Sequence, residues 1–452
     1  MRTIPARALF ALAAVVGFSA LRAAEPSAAP TAATTDTITD AITDTSAAQP
    51  LEWLKSGNYS ALEQYYSQCQ RDYEAGKTSD RQLYASFRRL YENNLDNEGN
   101  FDRWMQAYPT SYAATLARGA YLYRMAWSVR GDKYIPETSN EQLAAMRNFL
   151  TRARADLLAS LKMTHKPYLS TLYLLNAGLL DSSTAERRHW FELGTAMDPQ
   201  NTLLRIRYMG GLRPRWGGSY DEMQSFMRQC EDQKLATALL AKLGMLIHAD
   251  MAEDAMSAAD LNKSFDEWGQ VLKLAETANE APGTVALISY ARAAWETNRR
   301  ADAERALAQL SDRNLDDAWS LVQVGWMYAK EHRDADAWPL LLKAANLNDS
   351  WAQFTVGKTA YLGSADLHLK ADQAGGLEWI RRSADQCFAE ANNFLAAHGY
   401  PQAPDCGSKS DTLTHAERSW PASAIQWGLY GLLMSLVLGW IALRRTRARP
   451  SR

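Results

Sequence analysis

"YARAAWETNRRADAERALAQLSD", Tyr290–Asp312, decides how this chain folds. Small or apolar residues stand at Ala291, Ala303, Leu307 and Leu310. Adding 34 to each gives Gly325, Ala337, Leu341 and Ala344 in "VGWMYAKEHRDADAWPLLLKAANLND", Val324–Asp349, and all four remain small or apolar. A repeat of this length corresponds to one helical hairpin per unit. A small residue on the first helix lets the second approach closely, and the next hairpin covers the face left open. The spacing predicts an all-α, helical-hairpin solenoid.

The helical pattern extends outward from there. Apolar residues recur at three and four positions from Leu51 to about Gly399, as in "YAATLARGAYLYRMAW", Tyr112–Trp127. Strand signals are scarce. Pro109, Pro167, Pro199 and Pro282 each fall where one helical pattern ends and another begins. Residues 231–400 resemble tetratricopeptide repeats by their period. Their last part, about 336–399, resembles the Sel-one-like variant with a longer loop, on Gln353, Gly357, Tyr361, Gly363, Asp372, Trp379, Ala384 and neighbouring alanines.

Residues 51–230 resemble a different family. "ARGAYLYRMAWSVRG", Ala117–Gly131, and "PRWGGSYDEM", Pro214–Met223, are the most specific pieces. They are similar to the bacterial family known as domain of unknown function 4034. That resemblance implies an all-helical domain and no assigned activity.

"RPRWGGSYDEM", Arg213–Met223, is the most unusual stretch in this part. Pro214 stops a helix. Gly217 and Gly218 allow a sharp reversal. Ser219, three before Glu222, is a capping-box start for the next helix. One reading is a turn and nothing more. The other is a binding loop, with Arg213 and Arg215 as bidentate donors, Trp216 as a flat apolar surface and the helix start as an anion seat. Trp127 and Arg130 end an earlier helix, and "SNEQ", Ser139–Gln142, caps the one after it. If the two loops meet, Trp127, Arg130, Arg213, Arg215 and Trp216 form one partner-binding patch of the residue types that dominate interfaces.

The chain ends point to the cell envelope. Arg2 and Arg7 precede the apolar run Ala8–Leu21, and small residues follow. Residues 1–24 have the pattern of a secretory signal, with an uncleaved anchor as the alternative. Residues 25–50, rich in Ala, Thr, Asp, Ser and Pro, form a flexible linker. Residues 401–419 form a second linker. Residues 420–443 then read as a transmembrane helix, because the uncharged run Ala422–Leu443 reaches about 33 Å against a hydrocarbon core of about 30 Å. Trp420, Trp427 and Trp440 suit the two interfaces. The five arginines of the tail, residues 444–452, belong on the cytoplasmic side. The expected topology is a single-pass inner-membrane protein with its bulk in the periplasm. That compartment permits disulfides. Cys387 and Cys406 make a candidate pair closing a loop of about 20 residues, worth about 3 kcal/mol in the chain-entropy view. Four buried thiols are the alternative.

Several functions find no support. The formal charge of −2 lacks the basic excess of a nucleic-acid binder. No C-x-x-C pair, H-E-x-x-H, G-x-S-x-G elbow or phosphate loop is present, and the seven histidines are scattered. The expectation is a non-enzymatic scaffold that uses no cofactor or metal. It binds an unidentified protein partner and the membrane, but no nucleic acid. An immunity-type inhibitor of a toxin and an envelope enzyme are the alternatives.

Overall fold

The computed structural model describes residues 49–403, apart from 92–95, 132–137 and 181–183. The expected signal segment, the linker up to residue 48, the span at 420–443, the basic tail and Cys406 lie outside the described residues. Nineteen α-helices form the described chain. Its only bridge is an isolated one between Ser364 and Leu369. Among the described residues no helix is long and apolar enough to cross a membrane.

The chain forms two compact units, each assembled from separate stretches. The first holds residues 49–251 and 269–283, the second 252–268 and 284–403. The first begins with α1 (Gln49–Ser56), α2 (Tyr59–Glu74), α3 (Asp80–Arg88) and α4 (Glu98–Ala107). Then follow α5 (Tyr112–Arg130), α6 (Asn140–Ser160), α7 (Tyr168–Leu180) and α8 (Thr184–Met197). After α9 (Leu203–Gly211) comes a 3₁₀ turn, Pro214–Trp216, and then α10 (Tyr220–Asp232). Two further helices, α11 (Thr237–Ser257) and α12 (Leu261–Thr277), contribute to both units.

Helix α7 is apolar on nearly every face and buried along almost its whole length, and α5 is buried from Tyr112 to Tyr123 apart from Arg118. Gly119 lets Leu157 of α6 come so close that a Cβ there would lie 3.0 Å from it. Arg118 grips Asp156 with two bonds, 2.8 and 2.7 Å, and reaches Asp102 at 2.9 Å, joining α4, α5 and α6. Asp80 makes a longer connection. Its Oδ2 accepts from the Tyr168 hydroxyl at 2.9 Å and from the N–H groups of Thr202 and Leu203 at 2.9 and 2.8 Å. Thr202 makes no side-chain cap of its own. A carboxylate from the first turn of α3 therefore caps α9, a favourable place for negative charge.

The second unit carries the hairpins α13 (Thr284–Glu296) with α14 (Arg300–Ser311), and α15 (Ala318–Lys330) with α16 (Asp334–Asn346). Both ends of α13 move by 34 to give α15, and α14 starts 34 before α16. The residues that set the period are buried: Ala291, Ala303, Leu307 and Leu310 in one hairpin, Ala337, Leu341 and Ala344 in the next. Gly325 is the close-approach point, since a Cβ there would meet Leu341 at 2.8 Å. The turns repeat too. Asn298 and His332 both take positive φ, and the next N–H bonds back into the helix, Arg299 to Ala294 O at 2.8 Å and Arg333 to Tyr328 O at 2.9 Å.

The third hairpin, α17 (Ser350–Leu362) and α18 (Gln373–Asp385), has the longer loop its sequence predicts. α19 (Ala389–Ala397) follows. The prolines between helices fall where expected. Pro339 differs, standing inside α16. Cys69 and Cys230 are free and Cys387 is disulfide-bonded.

Candidate functional site

The Arg213–Met223 stretch is a locked reversal. Leu212 ends α9, and Pro214 opens the 3₁₀ turn. The Arg213 carbonyl accepts from Trp216 N–H at 2.9 Å and Gly218 N–H at 3.2 Å. Gly217 sits in the left-handed region at φ 81°. A Cβ on Gly218 would fall 2.1 Å from the Leu212 carbonyl oxygen, so only glycine fits. The Ser219 hydroxyl accepts from Glu222 N–H at 3.2 Å and starts α10. The Ser139–Gln142 capping box is complete in both directions.

The two loops meet. Trp127 and Trp216 pack edge to face, with centroids 6.2 Å apart and planes at 86°. Both rings remain partly exposed. The Arg130 guanidinium lies 5.4 Å from the Trp127 centroid. Trp127 Nε1 donates to the Tyr123 hydroxyl at 2.6 Å, so its N–H is already taken up within α5.

The two turn arginines point elsewhere. Arg213 is buried; its Nε donates to Gly210 O at 3.0 Å and its Nη1 lies 3.7 Å from Asp250 Oδ1. Arg215 Nη2 donates to the same Oδ1. Tyr220 hydroxyl donates to Asp250 Oδ2 at 3.2 Å. Asp250 is 2% exposed. These arginines thus neutralise a buried carboxylate, which a fold must do to keep such a charge inside. Arg187 Nη2 donates to the Trp216 carbonyl at 3.1 Å and fixes the turn from α8. The structure thus brings Trp127 and Trp216 together at one ledge with the buried Arg130 beside Trp127, and it turns Arg213 and Arg215 to Asp250.

Sequence reading missed Asp250, Arg187, Tyr220 and Tyr123. Nothing local flags Asp250, which lies in the middle of α11.

The second unit carries another aromatic pair. Trp295 and Trp326 lie 5.3 Å apart, with Arg292 and Lys330 each 5.2 Å from the Trp326 ring. Trp326 is fully buried and belongs to the repeat core, while Trp295 is half-buried. Among the described residues no group of three or more His, Cys, Asp or Glu side chains is placed to hold a metal ion.

Fold and ledge together define an all-helical, repeat-built protein with two compact units. Residues 47–180 match the family described as "Domain of unknown function (DUF4034)". The match ends with α7. It therefore takes in Trp127 and Arg130 but stops short of "PRWGGSYDEM", the other half of the ledge, and of the hairpin repeats. No curated protein matches the chain.

Proposed function

We propose that this protein is a membrane-anchored scaffold of the cell envelope that holds a protein partner and performs no chemistry itself. The Trp127–Trp216 ledge is its contact site. The observation that carries the proposal is the edge-to-face meeting of two partly exposed tryptophans far apart in sequence, Trp127 in the last turn of α5 and Trp216 in the 3₁₀ turn. Partly exposed tryptophans of this kind anchor interfaces. Because Arg213 and Arg215 are taken up by Asp250, the ledge suits an apolar or proline-bearing segment better than a phosphate.

The hairpins α13–α18, read as tetratricopeptide and Sel-one-like repeats, supply further binding surface of the kind stacked hairpins generate. The uncharged run at 422–443 and the arginines behind it support a single-pass anchor, and the charge rule supports a periplasmic bulk.

The test is covalent cross-linking in intact envelopes, comparing the natural chain with Trp216→Ala. One dominant partner that disappears with the folded variant supports the proposal. Retention of that partner moves the contact site to the repeats. Absence of any partner overturns the scaffold reading and brings the enzyme alternative forward.

A further inference from the structure

We infer that Asp250 is the positioning residue of the Trp127–Trp216 ledge, so that the binding surface is set by a carboxylate on α11 that no partner touches. The inference rests on the proposed role of the ledge. Trp216 is bracketed in sequence by Arg213, Arg215 and Tyr220, and all three converge on Asp250. Arg215 and Arg213 face Oδ1, and Tyr220 binds Oδ2. Within the turn, the Arg213 carbonyl holds the N–H groups of Trp216 and Gly218. A guanidinium anchored on Asp250 therefore fixes the residue around which the turn is built.

The Trp216 ring is held less directly. Its carbonyl is held by Arg187, and its ring meets Trp127 edge-on. Without the charge at Asp250, two guanidiniums lose a buried counter-ion, and such groups move toward water. Arg215 is the more exposed of the two, with a side chain 20% exposed against 6% for Arg213. Arg215 is also the immediate neighbour of Trp216, so its departure turns the indole away from Trp127. The expected effect is loss of the ledge while the helices remain.

The experiment uses the full chain in detergent and three variants, Asp250→Asn, Asp250→Glu and Tyr220→Phe. Two indoles at this distance and angle couple in the near-ultraviolet. The difference in circular dichroism made by adding Trp127→Phe to each background reports the ordered setting of Trp127, its contact with Trp216 included, apart from the signals of the other tryptophans. In Asp250→Asn the difference signal should fall at least several-fold with far-ultraviolet ellipticity unchanged. Asp250→Glu, which keeps the charge, should retain most of it. Tyr220→Phe removes a single bond to Asp250 and should give a smaller loss, which keeps the test decisive if Asp250→Asn does not fold. An unchanged difference signal in folded Asp250→Asn, or in Tyr220→Phe where only that variant folds, overturns the inference. A benzophenone amino acid at Ser128, an exposed position beside Trp127, provides the second readout in intact envelopes. If the coupling is lost together with cross-linking, both readings stand. If the coupling is lost but cross-linking persists, Asp250 positions the ledge and the ledge is not the partner site.

Discussion

Removing the Asp80 carboxylate should uncouple α9 from the helices that precede it. Asp80 is 6% exposed and accepts four bonds: Tyr168 hydroxyl, Thr202 N–H and Leu203 N–H on Oδ2, and Arg81 N–H at 2.8 Å on Oδ1. Burial, reinforced by the Asp80 charge, pushes the Tyr168 hydroxyl well above its ordinary pKa, so it stays protonated and donates. Asp80→Ala leaves two backbone donors at the start of α9 and the Tyr168 hydroxyl without this acceptor. Bonds to a charged acceptor are worth about 1.5–3 kcal/mol each and are not additive within one network, so the expected loss is about 3–5 kcal/mol. Asp80→Asn keeps one acceptor oxygen for α9 but loses the charge at two helix starts, for about 1–2 kcal/mol. Urea unfolding of the intact chain, followed at 222 nm with the slope held common, measures both. An Asp80→Ala variant within about 1 kcal/mol of the natural chain would refute the role of Asp80 as a cap shared between distant helices.

Three further outcomes are expected. Gly376→Ala should destabilise the second unit by about 2 kcal/mol or more, because its Cβ would lie 2.4 Å from Tyr361 N and 2.6 Å from Gly357 O; thermal melts check this. Gly99→Ala, with only the Arg103 guanidinium near at 3.7 Å, should be neutral or stabilising by up to about 1 kcal/mol, and equal melting shifts for the two would contradict the packing described. Acid should weaken the first unit. Burial alone would raise the Glu74 and Glu186 carboxyls, but hydrogen bonds from Thr164, Gln70 and Lys166 N–H to Glu74, and from Arg154 and Trp190 to Glu186, hold both below their ordinary value. A depressed folded value stabilises fully above the unfolded pKa of about 4.3, and that stabilisation is lost as pH falls through the folded value. Stability measured from pH 6 to pH 3 should fall less steeply in a Glu74→Gln/Glu186→Gln double variant, and identical slopes would exclude these two groups as the cause.

Much of the fold was legible because repetition is written in residue size. Gly325 has to be small for Leu341 to approach, Ala291 holds the matching position one repeat earlier, and that constraint survives in a single sequence. Prolines between helices were legible because a missing N–H acts locally. The ledge was legible only as two loops of similar chemistry. Their meeting depends on how α5 and α9 are set by the core, through contacts such as Asp80 with Leu203 that span more than a hundred residues. Arg213 and Arg215 read as binding groups because a free arginine and a buried one look alike in sequence. Asp250, which separates those cases, is an ordinary acidic residue within a helix.

The way the two units share the chain bears on how the molecule is made. The chain passes between them three times: within α11 after Met251, within α12 after Trp268, and before Thr284. A chain emerging from its N-terminus cannot complete the first unit until residue 283 has appeared, and by then it already holds a piece of the second. Domains that usually fold one after another as they are synthesised are here committed to an overlapping schedule. The stretch between Ala252 and Gly283 is where that schedule is most exposed to a stalled or truncated chain.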